Sequence, residues 1–236
     1  MSDTSRHRAG DSAELSGALS EGPLVTEGPG LLVMDVDSTL IEQEVIELIA
    51  ERAGTRELVA EVTARAMRGE LDFAASLRER VATLAGVPQG VFEEVLAEVR
   101  PTQGAAELIE ALHARGCRVG VVSGGFEEVV VPLAEQLGID HVAANRLEVV
   151  EGRLTGRVMG RIVDRQEKVR CLIAWAQQDG VPMERTIAVG DGANDLGMLE
   201  AAGLGVAFCA KPVVVEQADA AIHVRDLRAV LQLIGG

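Results

Sequence analysis

The sequence predicts an α/β fold: a mainly parallel sheet core flanked by helices, with a small helical cap inserted after the first strand and a β-hairpin insert further on. Three observations predict it. Short branched apolar runs end at polar or acidic turns. Helical patterns fill the intervals between those runs. Aromatic residues make up only 2% of a chain that is 47% hydrophobic, so the core must be built from Val, Leu, Ile and Ala, as in a parallel sheet buried on both faces.

Residues 1–30 are polar, Ser- and Gly-rich and aperiodic, and read as a flexible N-terminal tail. The other reading is an adaptor segment that docks on a second subunit. The core begins at Leu31-Leu32-Val33-Met34, a short branched run stopped by Asp35-Val36-Asp37-Ser38-Thr39, which is the pattern of a buried strand. The same shape recurs over residues 118–122 before Ser123-Gly124-Gly125, and over 186–189 before Gly190-Asp191-Gly192. Weaker versions lie at 205–208 and 220–224. Helical spacing over 105–115, 127–137, 165–178, 195–202, 213–217 and 227–234 alternates with these strands, as in βαβ units. Between 42 and 99 no strand-like run occurs, only helical spacing at Val45, Leu48, Ile49, Leu71, Leu77, Val81 and Leu84. This is the cap, residues 42–99; residues 31–41 and 100–236 form the core. Leu147-Glu148-Val149-Val150 and Arg153-Leu154-Thr155-Gly156 flank Glu151-Gly152, a hairpin signal because Gly permits the positive φ of the turn. In a Rossmann-like sheet of this kind ligands sit outside the carboxyl ends of the strands. The three polar strand ends are therefore expected to meet in one place.

The formal net charge of −15 argues against a nucleic-acid partner, which requires a basic footprint. There is no apolar run of about 18 residues to span a membrane, and no basic stretch leading into an apolar one as in a secretory signal. Cys117, Cys171 and Cys209 are scattered and odd in number, so no disulfide framework is expected. A cytoplasmic protein is the simplest reading. An anionic ligand approaching so acidic a chain needs a local positive pocket, made by a few cations or a metal.

Asp35 and Asp37 stand two apart at a strand end, where an extended chain turns both carboxylates to one side. One can attack a reacting centre while the other, kept partly protonated, serves as acid and then base. Taken alone the pair also describes a solvated Asx-turn; the second acidic cluster shifts the balance. Gly190-Asp191-Gly192-Ala193-Asn194-Asp195 follows another apolar strand and adds two carboxylates four residues apart. Hard oxygen ligands from separate strand ends suit Mg²⁺, and converging acids that would otherwise repel one another call for a cation. Asn194 or Asp195 also fits a helix N-cap, which leaves Asp191 unexplained. Ser123-Gly124-Gly125, opening a helix, offers a hydroxyl and backbone N–H groups as an anion cradle, though a plain loop would have the same sequence. Lys168, on the helix before the last acidic strand, reaches the same sheet edge or lies on the surface as most lysines do.

Together Asp35-Val36-Asp37-Ser38-Thr39, Ser123, Lys168 and Gly190-Asp191-Gly192-Ala193-Asn194-Asp195 resemble the four-motif signature of the haloacid dehalogenase-like phosphatases. More narrowly, Val122-Ser123-Gly124-Gly125-Phe126, Ala144-Asn145-Arg146-Leu147, Leu154-Thr155-Gly156 and Phe208-Cys209-Ala210-Lys211-Pro212 resemble the phosphoserine phosphatase branch, from about Leu31 to the C-terminus. The resemblance implies hydrolysis of the small molecule O-phosphoserine, the last step of serine biosynthesis, through an aspartyl-phosphate on Asp35. Asp37 would be the acid and then the base. Mg²⁺ would be held by Asp35, the carbonyl of Asp37 and Asp191, with Asp195 supporting. Ser123, the Gly124 N–H, Lys168 and Asn194 would hold phosphoryl oxygens. In the cap, Glu44 would meet the substrate ammonium and Arg80 its carboxylate, between Met67 and Phe73 as apolar walls. Without the resemblance, Glu44 and Arg80 read as ordinary helix surface. About thirty residues before the first strand are too few for the N-terminal regulatory domain that some relatives carry.

Two other readings compete. A related phosphatase or phosphotransferase would act on another small phosphorylated alcohol such as phosphohomoserine. A phospho-ligand-binding module without catalysis would be expected to lack the nucleophile or the acid, and both are present. The halide-removing branch of the family has no need of the second carboxylate at Asp37.

Overall fold

The computed structural model describes residues 15–17, 19–67 and 70–235, the side chain of Met67 excepted. Eight strands form one sheet in the order β1-β8-β7-β6-β2-β3-β4-β5. They are β1 (Leu15–Ser16), β2 (Leu31–Met34), β3 (Arg118–Phe126), β4 (His141–Val150), β5 (Arg153–Met159), β6 (Thr186–Gly190), β7 (Leu204–Phe208) and β8 (Ala220–Ile222). The pairs from β8 through β4 are parallel, and the two outermost, β1–β8 and β4–β5, are antiparallel. β2 lies between β3 and β6, where the strand order reverses, so its carboxyl end opens onto the crevice.

The alternation expected of a doubly buried strand is visible in β2. Leu31 and Val33 enter one apolar cluster, Leu32 and Met34 the other, and all four are fully buried. On the second cluster's face pack α6 (Ala105–Ala114), α7 (Glu127–Leu137) and α10 (Ala229–Leu233), through Leu108, Leu133 and Leu233 among others. On the opposite face lie α8 (Arg165–Gln178) and α9 (Leu196–Ala201), through Leu172, Ala176 and Leu199.

The expected flexible tail over residues 1–30 needs correcting. Residues 1–14 and 18 lie outside the described residues, but from Leu15 the chain is packed. Leu15 pairs with Ile222 and Ser16 with Ala221, the Leu19 N–H donates to the Leu233 carbonyl at 2.9 Å, and Leu24 on α1 (Pro23–Thr26) is 3% exposed. The reason is the sheet edge: without β1, the outer N–H and C=O groups of β8 would stand unpaired. Too few apolar residues are involved to leave a periodic signal.

The hairpin is longer than its sequence signal. β4 starts inside the main sheet, with His141 opposite Gly120, and only its second half forms the hairpin with β5. Glu151 (φ 50°) and Gly152 (φ 74°) make the two-residue turn, with positive φ at both positions as the strand twist requires.

The cap comprises α2 (Val45–Ala53), α3 (Arg56–Met67), α4 (Phe73–Ala82) and α5 (Val91–Glu98). Its two connections to the core run side by side: Ile41 bridges Pro101, and the Glu42 N–H donates to Arg100 O at 3.1 Å. A third anchor comes from the hairpin. Gly86 N–H donates to Leu154 O at 2.7 Å, Leu154 N–H to Val87 O at 2.9 Å and Gln89 N–H to Gly152 O at 2.9 Å.

Candidate active site

Asp35 leaves the end of β2 with its N–H bonded to Val189 O of β6 at 3.0 Å. Its Oδ1 accepts from Val36 N–H at 2.7 Å and lies 2.8 Å from Lys168 Nζ. Lys168, on the first turns of α8, has no exposed surface at all and also reaches Asp195 Oδ1 at 2.6 Å. Asp195 Oδ2 accepts from Gly192 N–H at 3.0 Å. Lys168 is thus a buried cation shared by two carboxylates, which is the arrangement that makes a buried lysine tenable. Gly190 is required beside it, since a Cβ there would stand 2.5 Å from the Asp195 carboxyl carbon.

Asp37 and Asp191 complete the acidic floor. Asp37 Oδ1 accepts from Val45 N–H at the start of α2 at 3.3 Å, and Asp191 Oδ1 accepts from Thr39 Oγ1 at 3.0 Å. Asp35 (φ −68°, ψ 163°) and Asp37 (φ −63°, ψ 133°) both have extended backbone angles, and the turn comes just beyond them: Ser38 adopts φ 58°, ψ 0°, and the loop closes through the Ile41 N–H to Val36 O bond. Ser38 Oγ donates to Glu44 Oε1 at 2.7 Å.

The Ser123-Gly124-Gly125 cradle also differs from expectation. β3 continues through Phe126 and α7 opens only at Glu127, so the cradle is a strand end and not the first turn of a helix. Ser123 is fully buried and its Oγ accepts from Gly125 N–H at 2.8 Å. The absence of side chains lets this strand end approach both neighbours: a Cβ on Gly125 would meet Asp37 Oδ2 at 3.1 Å, and one on Gly124 would meet the Phe73 ring at 2.9 Å.

One cavity of about 160 Å³ is lined by Asp35, Asp37, Glu44, Phe73, Arg80, Gly124, Asp191 and Asn194. The two cap residues read as surface from the sequence alone, Glu44 and Arg80, therefore share a chamber with the strand-end acids. Met67 is the one predicted wall whose side chain lies outside the described residues. Ile46 and Leu77 line the cavity too and were missed. Leu77 stands one turn before Arg80 on α4, so helical spacing from Arg80 would have found it. Asn145 belongs to the Ala144-Asn145-Arg146-Leu147 motif. It is fully buried, donates to Gly124 O and accepts from Val163 N–H, both at 2.8 Å, and so fixes the cradle from behind. A wider groove of about 920 Å³ between α5, α7 and the hairpin holds none of these groups.

The electrostatics show an excess of negative charge. Burial, then the charge of Asp195, pushes the Asp35 carboxyl well above the ordinary range despite Lys168. Burial and the charge of Glu44 push Asp37 to about 8. Burial and Asp195 push Asp191 to about 6, against the Thr39 hydrogen bond. Burial draws the Lys168 ammonium down, but the charges of Asp195 and Asp35 outweigh it and hold it above an ordinary lysine. Burial lowers Arg80, offset in part by Glu44 and Asp37. Oxygens of Asp35, Asp191 and Asp195 lie within 4.8 Å of one another, a hard-oxygen set that fits a divalent cation. Both oxygens of Asp195 already accept hydrogen bonds, so Asp35 and Asp191 are the freer donors.

Comparison with known proteins gives the family. The model of the haloacid dehalogenase-like hydrolases matches residues 32–200. The phosphoserine phosphatase of Streptococcus thermophilus is 54% identical over 210 residues, covering 89% of this chain and 98% of that one. That of Streptomyces coelicolor is 61% identical over 205 residues, 87% of this chain, which spans 50% of its length. Among solved structures, a phospho-aspartyl intermediate analogue of phosphoserine phosphatase superposes with a TM-score of 0.82 at 46% identity, over 87% of this chain and 99% of that one. Matched by that family model over residues 32–200 and by these relatives over nearly its whole described length, the chain belongs to the haloacid dehalogenase-like hydrolase family and, within it, to the phosphoserine phosphatase branch.

Proposed function

We propose that this chain hydrolyses O-phosphoserine to serine and phosphate, with Asp35 as nucleophile and Asp37 as acid and then base. The observation that carries the reading is the single small cavity in which Asp35, Asp37 and Asp191 face Glu44 and Arg80. Asp35 Oδ1 is taken by Val36 N–H and Lys168, which leaves Oδ2 to attack phosphorus. As that bond forms, the bond from phosphorus to the serine oxygen breaks, and the proton held on Asp37 at neutral pH passes to that oxygen. The Asp37 carboxylate then takes a proton from water, whose oxygen displaces Asp35 from phosphorus. Lys168, Ser123, the Gly124 N–H and Asn194 hold the phosphoryl oxygens, which need positioning and charge neutralisation above all. Glu44 suits the ammonium, and the planar guanidinium of Arg80 suits the carboxylate. Phe73 closes the apolar wall.

Mg²⁺, held by Asp35, Asp191 and the Asp37 carbonyl with Asp195 behind, would neutralise charge between the carboxylates and the phosphoryl group. Without a cation, carboxylates whose folded pKa values are raised bind more protons than in the unfolded chain. Stability then falls as pH rises from the ordinary carboxylate range through about 8. Added Mg²⁺ is accordingly expected to raise the Tm of metal-stripped protein more at pH 8 than at pH 5. An equal or smaller gain at pH 8 would count against the cluster as the cation site.

Three scattered free thiols, and no helix among the described residues long and apolar enough to cross a membrane, support a cytoplasmic setting. The function is tested by rates on O-phosphoserine, phosphohomoserine and a hexose phosphate. We expect kcat/KM for O-phosphoserine to exceed that for the sugar by about 10²-fold or more; a preference for the sugar overturns the substrate assignment.

A further inference from the structure

Arg225 has no part in the chemistry described so far, yet it touches the nucleophile loop. It follows β8 at the rim of the sheet and is exposed. Its Nη1 donates to the carbonyl of Ser38 at 3.0 Å, and its guanidinium carbon stands 5.9 Å from the ring centre of Phe208, the buried last residue of β7. The ring face limits where the guanidinium can swing.

Ser38 is where the loop is strained. Its left-handed backbone, φ 58° and ψ 0°, is costly for any residue with a Cβ. Glycine would adopt it freely, but glycine would lose the hydroxyl that donates to Glu44 Oε1 at 2.7 Å. Ser38 is therefore held by two side chains: its carbonyl by Arg225 and its hydroxyl by Glu44. Its own N–H donates to Gln43 O at 3.2 Å, closing the turn that leads to Glu44.

We propose that Arg225 is a positioning residue for substrate selection. By gripping the Ser38 carbonyl with a charge-assisted hydrogen bond, it keeps the Ser38 hydroxyl on Glu44 and the Glu44 carboxylate aimed at the substrate ammonium. This rests on the reading of Glu44 given above. A cation that merely drew phosphate dianions toward the cleft would help every phosphomonoester alike, whereas Arg225 acting through Ser38 favours those that carry an ammonium.

The test compares kcat/KM for O-phosphoserine with that for its deamino analogue, 3-phosphooxypropanoate, in wild type, Glu44→Gln, Arg225→Gln and Arg225→Lys. Partial unfolding scales both substrates equally, so the ratio reads positioning alone. Glu44→Gln is expected to lower the ratio by about 10²-fold or more. Arg225→Gln is expected to lower it about tenfold, the size typical of an outer-shell partner, with Arg225→Lys recovering part of the loss. If Arg225→Gln leaves the ratio unchanged while Glu44→Gln lowers it, the role of Arg225 is overturned and that of Glu44 stands. A ratio unmoved by Glu44→Gln removes the ammonium contact itself, and the role of Arg225 with it.

Discussion

Asp35→Asn is expected to lower turnover of O-phosphoserine by about 10⁴-fold or more, the scale at which an essential nucleophile is lost, with the fold intact. The amide keeps the shape of the carboxyl and can still accept at the oxygen that Val36 N–H and Lys168 now share. It lacks the charge and the lone-pair basicity to attack phosphorus. Because Asp35 sits in a desolvated site against a second acid, neutralising it relieves repulsion, and melting is expected to be unchanged or slightly raised. Activity near wild type would rule out Asp35 as nucleophile, and a collapse of the fold would reassign it to structure.

Lys168→Met is expected to damage both stability and activity. The ammonium is fully buried between Asp35 at 2.8 Å and Asp195 at 2.6 Å. Removing it strands two buried carboxylates, and breaking a buried pair from one side costs about 3–5 kcal/mol. For a chain of this size that is a fall in Tm of about 6–20 °C. Adding Asp195→Asn to Lys168→Met removes one of the stranded charges, so the double variant is expected to melt above the single one; simple addition of the two losses would show that the charges are not coupled. Neither variant recovers turnover, because the phosphoryl group loses its cation in both.

The fold was legible wherever a strand is a compact branched run that stops at a turn. β2 and α7 fall on the expected residues because Leu31–Met34 ends in acids and the 127–137 spacing is strongly periodic. The first half of β4 was not, since His-Val-Ala-Ala-Asn has little β-branched content and its pairing with β3 is a tertiary fact. β1 was hidden for the same reason: only the bare edge of β8 calls for it. In the site, the acids were legible as chemistry because two clusters at strand ends make sense only together. Lys168 was ambiguous because its burial depends on α8 lying over Asp35 and Asp195. Glu44 and Arg80 came from resemblance alone, and the geometry places both on the cavity. The left-handed turn at Ser38 and the grip of Arg225 on it left no signal, because serine is an ordinary residue in sequence and an unusual one only at φ 58°.

The covalent step is the center on which the rest depends. Acid quenching during turnover of O-phosphoserine, reduction with borohydride and peptide mapping would convert an aspartyl-phosphate into homoserine at the position that carried it. Homoserine at position 35, and its loss in Asp35→Asn, is the expected result. Homoserine at position 37 or 191 in its place would contradict the assignment of Asp35.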